Sequence, residues 1–153
     1  MITFKMPEYN EIPNVGLFLE QVHRYISEYL EPLVGITITP SMISNYVKQS
    51  IVSKPVKKQY YREQIGEIFF VALTKSVMSL ENIQVALEMQ KKEKSPIELY
   101  EEFKKEITAE IYNVFGDEYD EKEKGRTIIH NIAVAIAHKV YLEYTFENMK
   151  NKL

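Results

Sequence analysis

Pro55 constrains this chain more than any other residue. It stands between two segments that each repeat apolar side chains at the three-and-four spacing of a helix, and its ring lets no helix run through it. Before it, Thr39 can cap a helix that starts at Pro40, where a missing N–H costs nothing, and the pattern runs to Lys48 with Met42, Ile43, Tyr46 and Val47 inward. After it, the helical spacing resumes from Arg62 to Val77 through Ile65, Ile68, Phe69, Ala72 and Leu73. Between the two, Ile51, Val52, Pro55 and Val56 read as a brief extended segment, with a turn or miniature hairpin around Lys54 to Tyr60.

The flanks are helical as well. From Val15 to Leu33 the residues Phe18, Val22, Tyr25, Ile26, Tyr29, Leu30 and Leu33 share one face. Ser79 opens a helix from Leu80 to about Lys91, and Ser95-Pro96-Ile97-Glu98 is a capping box with proline at the first helical position. The helix it starts runs to Phe115 and is expected to bury Tyr100, Phe103, Ile107, Ile111 and Val114. Gly116 to Gly125 reads as a charged loop, and a last helix covers Arg126 to Met149. That helix is apolar nearly all round, so it is expected to be central in the core and also shared with a second copy of the chain.

The fold class is therefore mainly α, with 1–153 as a single compact domain, 37–91 as a helix-turn-helix module, and 95–153 as a C-terminal helical region for dimerisation or sensing. Charge singles out the module. Ser44 to Lys75 holds Lys48, Lys54, Lys57, Lys58, Arg62 and Lys75 against Glu63 and Glu67, a net +4 in a chain of net −3. Four of those six cations fall between Lys54 and Arg62. A basic island in an acidic protein suits a polyanion.

The order of these features resembles the DNA-binding half of the mercury-resistance-regulator (MerR) superfamily of winged helix-turn-helix proteins. The residues that carry it are the apolar pair Ile51-Val52, the basic Lys54-Pro55-Val56-Lys57-Lys58, Tyr60, the helix from Arg62, and Ser79-Leu80-Glu81-Asn82-Ile83. The whole chain resembles a bacterial family of unknown function that carries such a module, with a minimal wing, among additional C-terminal helices. The resemblance implies a recognition helix at Pro40 to Lys48, presenting Ser41, Ser44, Asn45 and Lys48 to the major groove. It implies a wing at Lys54 to Tyr60, where Lys54, Lys57, Lys58, Tyr60 and Arg62 meet phosphates. Lysines release counterions without exact geometry, and the Asn45 amide can pair with an adenine edge. Superfamily recognition helices usually carry arginines where Ser41 and Ser44 stand, and a glycine where Ser50 stands. The same scaffold could then serve as a protein-interaction or adaptor module.

The expected partners are double-stranded DNA and a second copy through the C-terminal helices; a small-molecule effector pocket among Tyr100, Phe103, Tyr112 and the last helix is compatible with either reading, with core as the default for an aromatic stripe. No enzyme grammar stands out, and no cofactor or metal is expected. His130 and His138 lie two helical turns apart, and Glu20 with His23 supplies a Glu-x-x-His spacing only once. There is no cysteine, no secretory leader and no apolar stretch long enough to span a bilayer, so a cytoplasmic location is expected.

Overall fold

The computed structural model describes residues 3–115 and 124–152. Among them six α-helices follow a short 3-10 turn at Tyr9–Glu11: α1 Leu19–Leu30, α2 Pro40–Lys48, α3 Arg62–Thr74, α4 Leu80–Glu93, α5 Pro96–Phe115 and α6 Lys124–Lys150. Extended structure among the described residues is confined to two antiparallel bridges, Val56 with Gln59 and Leu17 with Tyr60. The protein is mainly helical. The loop expected from Gly116 to Gly125 lies outside the described residues over 116–123.

Local capping chemistry sets three of the helix starts. The Thr39 hydroxyl accepts the Met42 N–H at 3.1 Å with Pro40 at the first helical position, Ser79 accepts the Asn82 N–H at 3.2 Å, and Ser95 accepts the Glu98 N–H at 3.3 Å. At the other end of α2, the Ile51 N–H donates to the Tyr46 carbonyl and the Ser50 N–H to that of Val47, the pairing of a Schellman motif. Ser50 takes the left-handed position at φ 60°, where glycine is the usual occupant.

α1 is shorter than its apolar spacing suggests. Gly16 turns the chain at φ +80°, and Leu17 exchanges backbone hydrogen bonds with Tyr60, so Val15 to Phe18 is not helical and the extended, half-exposed Phe18 is the N-cap. Pairing with the segment after α2 outweighs helical periodicity there.

α3 is the central helix. Ten of its residues are buried, and it packs against α2, α4 and α5. Phe69 receives the rings of Tyr25, Tyr29 and Tyr100 at centroid distances of 6.2, 5.9 and 6.3 Å, all near edge-on, the geometry that aromatic quadrupoles favour. The N-terminal strap closes this core with Phe4, Met6 and Ile12. Tyr100 Oη donates to the Pro7 carbonyl at 2.6 Å, and Lys104 bridges Glu8 and Glu101.

α6 corrects an expectation. It is not central: it touches α4 and, among its described side chains, buries only Phe146, with Leu142 and Met149 partly covered. Ile129, Ile132, Ile136, Val140, Tyr141 and Tyr144 all remain exposed. α3 already fills the middle of the core, and two all-round apolar helices cannot both occupy it. Val114, expected inside α5, is exposed as well.

Candidate nucleic-acid interface

α2 buries Ile43 and Tyr46 and turns its opposite face outward. Ser41, Ser44 and Lys48 are exposed and Asn45 half-buried, and these four line one shallow groove with Pro40 and Leu19. Their spacing along the helix puts them on one surface, and α1 supplies the far wall. Leu19 stands two residues after Leu17, which pairs with Tyr60 at the foot of the hairpin, so the start of α1 joins groove and hairpin.

The hairpin is a two-residue turn. Val56 and Gln59 exchange both backbone hydrogen bonds, at 3.0 and 2.9 Å, and the residues between them are Lys57 at φ 52° and Lys58 at φ 65°. Two positive φ values match the twist of flanking antiparallel strands, and asparagine and glycine are the usual occupants. Here two lysines occupy the tip, each in a conformation disfavoured by about 1 kcal/mol for a side chain with a Cβ. Strain at an exposed tip gives no packing return, since both side chains face solvent.

Gln64 holds the base of this hairpin. Its amide Nε2 donates to the Ser53 and Lys54 carbonyls at 2.9 and 2.8 Å, and its Oε1 accepts the Tyr61 N–H at 2.9 Å, so all of this buried side chain's main hydrogen-bonding capacity is spent on the loop. Gln64 is the N3 half of a capping box, but the N-cap is Tyr61 and not Ser or Thr, so the sequence carries no capping-box signature there.

Several lysines outside the basic island are ion-paired. Lys91, Lys94, Lys104, Lys139 and Lys150 each meet a glutamate. Among the described residues no such pair involves Lys48, Lys54, Lys57 or Lys58, all of them exposed.

Two expected contact residues leave the surface. Tyr60 is only 4% exposed, buried beneath the hairpin, and its hydroxyl is pushed to a higher pKa by desolvation. Arg62 faces the N-terminal strap: Nε donates to the Ile12 carbonyl at 2.8 Å, NH2 to that of Asn10 at 3.0 Å, and the guanidinium lies 5.9 Å from the Tyr9 ring centre. Two of its five N–H donors are spent on the strap, which orients the half-buried guanidinium away from the hairpin tip. The Tyr46 hydroxyl is also buried without a hydrogen-bond partner, and desolvation raises its pKa to about 12.

The remaining expectations fall elsewhere. Tyr100 and Phe103 do line a cavity, together with residues of α3 and α4, whereas Tyr112 lies outside it and exposed. Among the described residues no helix is long and apolar enough to cross a membrane, and no cluster of three potential metal ligands occurs.

A family model described as Domain of unknown function (DUF1836) matches residues 7–103, more than half of the 153. The chain belongs to this family. The family span takes in the strap from Pro7, both walls of the groove, the hairpin and the cavity, and ends at Phe103 within α5. No curated protein and no solved structure matches the chain.

Proposed function

We propose that this chain is a DNA-binding transcriptional regulator built on a MerR-like winged helix-turn-helix. α1 and α2 form the helix-turn-helix, and the Val56 to Gln59 hairpin is the minimal wing. The observation that carries the reading is the hairpin tip, where Lys57 and Lys58 stand exposed, without ion pairs among the described residues, in backbone conformations that glycine would hold at lower cost. Strained residues persist where the surroundings hold them, and they concentrate at functional sites. Lys48 and Lys54 extend the same charge, and Ser41, Ser44 and Asn45 offer small polar groups to base edges. Phosphate contact dominates this surface, and base readout rests mainly on Asn45.

The test is fluorescence-anisotropy titration of the full chain against genomic fragments across a salt series. Each phosphate-bound lysine contributes about 0.9 to the slope of log affinity against log salt. Changing Lys54, Lys57 and Lys58 together to glutamate should abolish binding. Failure of the wild type to bind at low ionic strength overturns the reading.

A second reading rests on the same α2 face, which carries one charge, Lys48, beside the apolar Leu19 and Pro40. There the scaffold is a protein-interaction or adaptor module. A protein partner retained by the triple glutamate variant, with no DNA bound by the wild type, favours it. For either reading we assign a homodimer through the exposed apolar surface of α6, since separate monomers would leave that surface in water.

A further inference from the structure

The cavity between α3, α4 and α5 is lined by aromatic rings, aliphatic side chains, Lys91 and Lys94 at its mouth, the exposed Glu63, and one buried carboxylate, Glu67. Glu67 projects from the central helix with its side chain only 7% exposed. Neither of its oxygens receives a hydrogen bond. Lys91 Nζ forms an ion pair with Oε2 at 3.3 Å, and the Lys91 side chain is itself 42% exposed, so Oε1 is the oxygen left without a donor. The other nearby cation, Lys94, is committed to Glu102 and to the Gln90 amide oxygen. A buried ionised carboxylate with unfilled acceptor positions costs several kcal/mol, and leucine would serve the packing better.

The residue beside it is equally out of place for stability alone. Gly66 sits in the middle of α3, where it costs about 1 kcal/mol relative to alanine. A Cβ there would stand 3.4 Å from the Tyr100 ring and 3.7 Å from that of Tyr9, at the wall of the cavity. The space beyond that wall is ≈250 Å³, room for roughly eight water-sized units at about 30 Å³ each. Tyr9, Phe70, Tyr100 and Phe103 bound that space, and aromatic faces attract cations.

We propose that this cavity binds a small organic cation, its ammonium or guanidinium donating to Glu67 and its apolar body lying against Tyr9, Tyr100 and Phe103. A cationic donor supplies what Glu67 lacks at Oε1, and Lys91 either stays on Oε2 or swings to solvent as the ligand enters. An anion is disfavoured because it would meet the Glu67 carboxylate in a region of low dielectric. A neutral alcohol could donate one hydrogen bond but would leave the charge uncompensated. Binding here is independent of whether α2 meets DNA.

The test uses three molecules of one size and shape that differ in their polar group: phenethylamine, phenethyl alcohol and phenylacetate. Each is titrated into the full-length protein at neutral pH, with heteronuclear NMR shifts at Gly66 and Tyr100 as the readout. The amine should bind at least about tenfold more tightly than the alcohol, and phenylacetate should not shift these signals. Glu67→Gln keeps the shape and should erase the amine's advantage. Gly66→Ala, which favours the helix, should weaken the amine while leaving the protein folded. Should Glu67→Gln not fold, Lys91→Ala provides the second variant: freeing Oε2 should tighten the amine. Equal binding of amine and alcohol to the wild type overturns the proposal, as does undiminished amine binding in a folded Glu67→Gln, or no binding of any of the three at millimolar concentration.

Discussion

Replacing Lys57-Lys58 with Asn-Gly should make the protein more stable and a poorer DNA binder at once. Both lysines hold positive φ, 52° and 65°, so the native state carries about 1 kcal/mol of strain at each. Asparagine relieves part of the first and glycine all of the second. Glycine also adds freedom to the unfolded chain, which returns roughly 0.5 to 1 kcal/mol. With about half of the first strain relieved, the net gain is about 0.5 to 1 kcal/mol, or a rise in melting temperature of roughly 1 to 4 °C for a chain of this size. Denaturant midpoints at unchanged m-value measure it. In anisotropy titrations the same variant should lower the salt slope by about 1.8, twice the loss of one phosphate contact. The two readouts test separate steps. A destabilised variant would show that the turn is not held as described, and an unchanged slope in a stabilised variant would show that the tip lysines do not meet phosphates.

Tyr46→Phe removes a buried hydroxyl that has no hydrogen-bond partner, so stability should rise by about 1 kcal/mol while DNA affinity stays unchanged; a fall in affinity would place that hydroxyl on a phosphate. Burial pushes the Glu67 carboxyl above its ordinary value of 4.5, with Lys91 opposing. The folded state therefore holds a proton that the unfolded chain has released, and the wild type loses stability as pH rises from 4.5 through the raised folded value. Glu67→Gln lacks this dependence, so its advantage in urea midpoint should grow between about pH 4 and about pH 7, and a constant difference would refute the burial effect. Ile132→Asp together with Ile136→Asp on α6 should convert dimer to monomer in sedimentation velocity, with the helical circular-dichroism signal kept; a wild type that sediments as a monomer would remove the dimer from the model of function.

How much was legible in the residues depended on how local the deciding interaction is. Thr39-Pro40, Ser79 and Ser95-Pro96 set the starts of α2, α4 and α5, because a cap needs only a hydroxyl and an N–H three residues on. Pro55 likewise determined by itself that α2 and α3 are separate, and the charge island marked where exposed lysines would gather. That Ser41, Ser44, Asn45 and Lys48 share one face of α2 followed from helical spacing, whereas the wall from Leu19 that makes it a groove came from packing.

Tertiary structure decided the rest. α3 and α6 are both apolar over more than one stripe, yet only α3 has α2, α4 and α5 packed against it. Periodicity within a helix carries no record of which partners reach it. Arg62 and Tyr60 belong to a basic turn in sequence, but the strap at Asn10 and Ile12 and the bridge to Leu17 draw them inward across some fifty residues. The cavity beside Glu67 could not be read from the chain either, since its walls come from three helices and the strap. Caps and breakers act through bonds a few residues long, so the sequence settled where the helices lie. Burial depends on contacts between distant segments, so only the packed structure settled which helix is core, which cation stays exposed and which carboxylate is buried with one oxygen unfilled.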